Sequence, residues 1–375
     1  VQTTLDSHLQ TAAELAVSTG LAELEARTLS AEQRTAPGQD RPQAALFAMD
    51  VRDGSVRAMV GGRSFEDSQF NRATQAHRQV GSAIKPIIYL TAMEAGLSPA
   101  TLTTDAPVSY WDPWTRQRWS PRNYTRKFAG RITLMQGMEE SINITAVKLV
   151  DQLGIEKVLE TARRLGITND LPPYLSIALG TAEVSLQEMV TAYATIAGYG
   201  LRPIPRLITS VVNPTGDELW SSRSETIEVL DQGDAYLVIQ LLEGVIQRGT
   251  GQSARALGRD LDLDLAGKTG TTDEYTDAWF IGFSPELAAG VWVGYDVTHP
   301  LGPRETGGRA ALPLWKMFMA TALQHRLVTR FLVPPSFRPV AICRQSGSIA
   351  NARCPDTFTV NLPPDRFPGQ TCRQH

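Results

Sequence analysis

The stretch AGKTGTTDEYTDAWFIGFSPELAAGVWVGY, residues 266–295, decides the fold. Residues 266–271, 278–283 and 288–295 each carry a strand pattern, and the last two make a hairpin about Pro285. Near the other end of the chain, residues 45–49 and 56–60 flank Asp53-Gly54, a two-residue turn signal that predicts a second hairpin. Between them, residues 133–200 change period. Val147, Leu149, Val150 and Leu153 form one helical stripe, and Met189, Tyr193 and Ile196 another. Strands at both ends with helices between them predict an α+β fold. One antiparallel sheet is built from both ends and flanked by helices, with the helical block as a subdomain on one side and the active site between the two.

Working outward, residues 3–29 read as a helix capped by Asp6 or Ser7, with Leu9, Ala12, Ala13, Leu15 and Ala16 at helical spacing. Residues 31–43 are polar and read as a linker. Residues 82–95 form a helix that tolerates Pro86 in its first turn and stops at Gly96. Residues 103–130 are a long irregular segment rich in Trp, Pro, Arg and Tyr. A turn at 198–205 leads to a strand at 207–212, a helix at 234–247 ends at Gly249-Thr250-Gly251, and 312–323 is a closing helix. Past Pro334 the pattern weakens. The expected division is an N-terminal helix and linker (1–43), a main domain (44–330) and a small C-terminal appendage (331–375).

The chain has 375 residues, 42% hydrophobic and 20% charged, enough to bury a core without staples. A net charge of -3 argues against nucleic acid or an acidic membrane as a partner held by bulk electrostatics. No run of ~18 apolar residues is present. The start at Val1, without signal-peptide features, suggests a fragment or a processed product. Cys343, Cys354 and Cys372 fit no zinc spacing; one disulfide with a spare thiol, or three free thiols, both stay open. His77, His299, His325 and His375 have no metal-ligand spacing, so no metal or cofactor is expected.

Three short segments carry chemistry. Ser82-Ala83-Ile84-Lys85 sets a hydroxyl and an amine three residues apart at a helix start, on one face. A desolvated lysine there can act as a base toward the serine, and the helix N-terminus favours the alkoxide. Lys268-Thr269-Gly270-Thr271 lies in a small-residue strand suited to an extended peptide whose carboxylate it could hold. No glycine stands where a phosphate-binding Gly-x-x-x-x-Gly-Lys-Thr loop needs one. Ser141-Ile142-Asn143 in the helical middle is either a cap or a turn that aims both side chains into a cleft.

The order Ser-x-x-Lys, Ser-x-Asn, Lys-Thr-Gly resembles the penicillin-recognising serine enzymes. The surrounding text is similar to the transpeptidase domain of class A penicillin-binding proteins. The matching segments include Phe70-Asn71-Arg72-Ala73, Arg78-Gln79-Val80-Gly81-Ser82, Lys85-Pro86, Asn123-Tyr124 and Gly180-Thr181-Ala182-Glu183. Gly249-Thr250-Gly251, Asp277-Ala278-Trp279-Phe280 and Val291-Trp292-Val293-Gly294-Tyr295-Asp296 belong with them, as does the lead-in Val1-Gln2-Thr3-Thr4-Leu5-Asp6. The likeness covers roughly residues 1 to 325. Val80 stands where the family often has Pro, and Ile84 where it has Phe.

The resemblance implies a D,D-transpeptidase. Ser82 is the nucleophile, Lys85 the base, Ser141 a proton relay and Asn143 a positioning group. Lys268, Thr269, Gly270 and Thr271 form the carboxylate-binding strand. Implied partners are peptidoglycan stem peptides, β-lactams, cell-wall synthesis proteins and an upstream glycosyltransferase domain outside this chain. The implied place is the outer face of the bacterial cell membrane, with the anchor outside this chain. Trp111, Trp114, Trp119 and Tyr124 either line the substrate groove or pack as core. A D,D-carboxypeptidase, a serine β-lactamase and a non-catalytic β-lactam sensor share these motifs. A β-lactamase needs a water-activating glutamate, and Glu156 and Glu160 read as ordinary members of an amphipathic helix.

Overall fold

A computed structural model describes residues 1–35, 40–112, 116–324 and 329–374. The secondary structure follows helix α1 (Ser7–Thr28), strands β1 (Gln43–Asp50) and β2 (Val56–Val60), and helices α2 (Lys85–Glu94), α3 (Leu134–Glu139), α4 (Asn143–Leu153), α5 (Ile155–Arg164), α6 (Leu186–Ala197) and α7 (Gln232–Gln247). Strands β3 (Ala266–Thr271), β4 (Asp277–Phe283) and β5 (Leu287–Gly294), helix α8 (Leu312–Leu323) and the pair β6 (Arg338–Cys343) and β7 (Thr357–Leu362) complete it.

One five-stranded sheet has the order β3-β4-β5-β1-β2, every neighbour antiparallel. It therefore joins the two ends of the chain. Its faces feed two cores. Leu46, Ala48, Phe280 and Val291 pack with α1 and α8. Phe47, Met49, Trp279 and Ile281 pack with α2, α6 and α7 on the other side. Alternate residues of one strand enter opposite layers because the pleat sends them there. Covered on both faces, β4 and β5 are buried throughout. Trp315 of α8 locks its layer: its ring lies 4.8 Å from that of Phe280, and its Nε1 donates to the Ala289 carbonyl at 3.0 Å.

The structure departs from the sequence reading in several places. Asp6 is the cap of α1, its carboxylate accepting from the His8 and Leu9 amides. Of the expected stripe, Leu9, Ala12, Ala13 and Ala16 are buried along with Val17, and Leu15 alone faces solvent, 64% exposed. Part of the expected linker is helical, Ala31–Thr35. The segment 103–130 is not wholly irregular: Leu102–Asp105 pairs with Gly130–Thr133, and Tyr110–Asp112 with Gln117–Trp119. Short strands with few apolar alternations leave no period-2 signal. Beyond Pro334, β6 and β7 form a hairpin seated on α7, where Gln240 and Asn361 exchange two hydrogen bonds of 2.9 and 2.7 Å.

Candidate active site

Ser82 lies in a 3-10 turn, Gly81–Ile84, that runs straight into α2. The turn is pressed onto β3, the edge strand of the sheet. Gly81 has φ +52, and a Cβ there would sit 2.3 Å from the Thr271 carbonyl oxygen. A Cβ on Gly270 would sit 2.5 Å from the Val80 carbonyl oxygen. Glycine in this strand thus admits a second backbone, and that backbone is the chain's own. From the other side, Gly180 accepts the Gly81 amide at 3.1 Å and Ala182 accepts that of Val80 at 3.3 Å. Trp279 Nε1 donates to the Gln79 carbonyl at 2.9 Å, and the Tyr193 hydroxyl to that of Ala83 at 2.8 Å. The serine is therefore placed by its neighbours' backbones and left half-buried. Its amide donates to no acceptor among the described residues, and its hydroxyl makes no side-chain hydrogen bond among them.

Ser141 occupies a left-handed turn, φ +55, between α3 and α4. A non-glycine residue in such backbone costs about 1–3 kcal/mol and is retained where its surroundings require it. Asn123 supplies part of that requirement. Its Oδ1 accepts the first amides of α4, from Asn143 at 3.1 Å and Ile144 at 3.2 Å, and its Nδ2 is held by Asp105 at 2.8 Å. Sequence reasoning quoted Asn123 without giving it a role. A polar residue 20 positions from the helix that it caps leaves no local signal.

The cleft centres on two amines. Lys85 is fully buried, and its Nζ donates to the Ser141 carbonyl at 2.6 Å and to Asn143 Oδ1 at 2.7 Å, with Ser141 Oγ at 3.2 Å. Lys268 is equally buried; its Nζ lies 2.8 Å from Ser141 Oγ and donates to the Thr269 carbonyl at 3.1 Å. No carboxylate pairs with either amine among the described residues. Burial, then the neighbouring charge of Lys268, hold Lys85 well below the usual lysine range. Burial alone brings Lys268 down to about 7.

Lys85, Ser141, Asn143 and Lys268 thus share one network, with Ser82 one turn away: the Lys85 amide donates to the Ser82 carbonyl. In the expected site Lys268 grips a carboxylate; here its amine points at Ser141 from beneath the strand. The Thr269 hydroxyl shares a 2.8 Å hydrogen bond with that of Thr250, and the Thr271 hydroxyl accepts the Gly307 amide at 2.9 Å. Tyr124, exposed at the cleft, meets the Tyr275 hydroxyl at 2.8 Å. Trp111 is exposed, whereas Trp119 packs on Tyr110 with centroids 6.3 Å apart. Trp114, His325 and His375 lie outside the described residues. Glu156 and Glu160 sit exposed on α5 and take no part in the network.

An amine whose two N–H groups point at fixed carbonyl-type acceptors keeps a lone pair for a third partner when it is neutral. Ser141 Oγ, within reach of both amines, can pass a proton either way. The arrangement fits serine acylation, with a buried amine one turn from a serine hydroxyl.

The family model "Penicillin binding protein transpeptidase domain" matches residues 44–320. Penicillin-binding protein 1A of Aquifex aeolicus is 40% identical over 312 residues, 83% of this chain and 42% of that protein. Penicillin-binding protein 1A of Pseudomonas aeruginosa is 33% identical over 390 residues, 87% of this chain and 47% of that protein. The chain therefore spans less than half the length of these two curated relatives. Among solved structures, penicillin-binding protein 1A from Haemophilus influenzae superposes with a TM-score of 0.87 at 23% identity, over 99% of this chain and 72% of that one, a likeness of fold. The PonA1 protein from Mycobacterium tuberculosis in complex with penicillin V superposes with a TM-score of 0.74 at 27% identity, over 89% of this chain and 88% of that one.

Proposed function

The chain belongs to the penicillin-binding protein transpeptidase domain family, and from that premise we propose that it is a peptidoglycan D,D-transpeptidase acting through a Ser82 acyl-enzyme. One observation carries the reading: a buried Lys85 amine, bonded to Ser141 and Asn143 and crowded by Lys268, one turn from Ser82.

Neutral Lys85 takes the proton of Ser82 as Oγ attacks the carbonyl between the two terminal D-alanines of a stem peptide. The amides of Ser82 and Thr271 receive the oxyanion; one such donor is worth ~3 kcal/mol of barrier. The C–N bond then breaks, and the leaving amine takes its proton through Ser141 from the lysine pair. Asn143 orients Lys85, its own Nδ2 donating to the Arg122 carbonyl at 2.9 Å. An acceptor amine attacks the ester, returns the proton to Ser82 by the same path and forms the cross-link. The hydroxyls of Thr269 and Thr271 meet the terminal carboxylate at the open edge of β3, while Lys268 adds positive potential from below. A β-lactam enters as the donor: its ring amide opens, and the leaving nitrogen stays tethered on Ser82.

We assign residues 44–330 to this domain, with 1–43 leading into it and 331–375 as an appendage. The greater length of the relatives would house the upstream glycosyltransferase domain and the membrane anchor that the resemblance implies. Among the described residues no helix is long and apolar enough to cross a membrane. The substrate places the domain on the outer face of the membrane, beside other cell-wall synthesis proteins.

Intact-protein mass spectrometry after benzylpenicillin tests the nucleophile. The wild-type chain should gain one penicillin and Ser82→Ala none; labelling that persists in the variant rejects Ser82. Incubating the chain with a pentapeptide donor and an acceptor strand then separates the activities. Cross-linked dimer supports the transpeptidase, release of D-alanine alone a carboxypeptidase, and neither product a sensor.

A further inference from the structure

The three cysteines of the chain, 11 and 18 positions apart in sequence, converge in space. Cys343 closes β6 and Cys354 sits in the connection to β7. Cys372 is carried back by the parallel bridge between Ile349 and Thr371, its amide donating to the Ile349 carbonyl at 2.8 Å. Their Sγ atoms all lie within 4.8 Å of one another. Cys343 and Cys372 are buried, 0% and 4% exposed.

We propose that Cys343, Cys354 and Cys372 form a three-thiolate zinc site that staples the C-terminal tail onto the β6–β7 hairpin. A tetrahedral zinc with Zn–S bonds of about 2.3 Å sets its sulfurs about 3.8 Å apart, so small side-chain adjustments close this trio around an ion. A disulfide joins only two sulfurs, at about 2.05 Å, and gives the convergence of a third no purpose.

The Asn351 amide donates to Cys354 Sγ at 3.4 Å, and the same sulfur lies 3.7 Å from Asn351 Oδ1. Each cysteine has an arginine beside it in sequence, Arg344, Arg353 and Arg373. Three thiolates and one Zn²⁺ carry a net charge of −1, a small charge for a site at the protein surface. Gly347, φ +65, makes the tight turn that folds this knuckle, its amide donating to the Cys343 carbonyl at 2.9 Å.

The staple also reaches the main domain. Arg344, next to Cys343, bonds Glu139 Oε2 at 2.8 Å, and the Glu139 carbonyl accepts the Thr250 amide at 3.1 Å. Zinc thereby fixes the tail against the segment that leads into Ser141.

The test is zinc content and thiol state of the purified chain, produced with zinc present and handled without chelator. One equivalent of zinc should be released by a mercurial and counted with a colorimetric chelator. A separate sample, denatured with chelator and without reductant, should take three alkylations. Cobalt(II) added to the stripped chain should give thiolate-to-metal charge-transfer absorption. Cys343→Ser, Cys354→Ser and Cys372→Ser should each lose most of the zinc; should a variant fail to fold, the wild-type chain decides alone. Stripping its zinc should lower Tm by several degrees and one equivalent should restore it. A chain lighter by two hydrogens with a single alkylatable cysteine, or three free thiols that bind neither zinc nor cobalt, overturns the assignment. None of these readouts depends on Ser82 chemistry.

Discussion

Among the buried charges of the described residues, two neighbouring places are built in opposite ways. Glu139 at the end of α3 is buried between two arginines, Arg248 on Oε1 at 2.8 Å and Arg344 on Oε2 at 2.8 Å. Barely a turn away, Lys85 and Lys268 face one hydroxyl from opposite sides, with no carboxylate between them among the described residues. The first is an ion-pair network that ties the tail, α3 and the end of α7 together. The second holds amines that cannot both be charged cheaply. Paired charge holds the fold, and unpaired like charge gives up protons, which is what a base for serine must do.

The largest effect should come from destroying the second arrangement alone. Lys85→Arg keeps the positive group and its donors but removes the ability to be neutral. Acylation by a fluorescent penicillin, followed by stopped flow, should slow by roughly 10³-fold or more, with thermal stability changed far less. A variant that acylates within tenfold of wild type breaks the distinction.

Next is Gly270→Ala. Its Cβ would meet the Val80 carbonyl oxygen at 2.5 Å and push the Ser82 turn off β3. A shift of about 1 Å at the nucleophile should slow acylation roughly 10²-fold while the carboxylate-paired region is untouched. Wild-type acylation in that variant would show that the turn is not set by this strand.

Glu139→Gln reverses the pattern. It removes the charge that both arginines face, leaving Arg344 only Asp356 at 3.4 Å, so unfolding stability should fall by about 3 kcal/mol, read by chemical denaturation, and acylation should drop only a few-fold. An acylation loss as large as that of Lys85→Arg would mean that the two regions are one.

The smallest effect is a shift in pH dependence. Lys268 stands at about 7 and Lys85 well below its ordinary range, so falling pH adds protons to the pair and acylation slows, while rising pH restores it. Lys268→Met removes the like charge beside Lys85. Its proton is then held more tightly, and the acidic limb should move to higher pH. A limb that moves to lower pH contradicts the coupling.

Much of this was legible in the sequence where a local pattern maps onto a local structure. The alternation in 278–295 fixed two strands, and 312–323 is helical to the residue. The three chemical motifs were legible as motifs. Their assembly was not, because it depends on tertiary contacts that no spacing encodes. Asn123 caps a helix 20 residues on, and Gly180 cradles a turn about 100 residues back. Lys268 read as part of a carboxylate-holding strand, and nothing in that reading showed that its amine would be buried 2.8 Å from Ser141 Oγ. Leu15 satisfied a helical stripe, yet α1 buries the neighbouring alanines. The cysteine trio fitted no linear metal motif because a bridge between 349 and 371 closes it.

The account rests on the protonation state of one amine. Selective ¹⁵N labelling of lysine, with the Lys85 Nζ signal assigned by its loss in Lys85→Arg, reads that state directly as pH is varied. A resonance that moves to the neutral-amine position well below pH 10.5, where an ordinary lysine titrates, is what burial beside Lys268 predicts. One that stays ammonium up to pH 10 contradicts it.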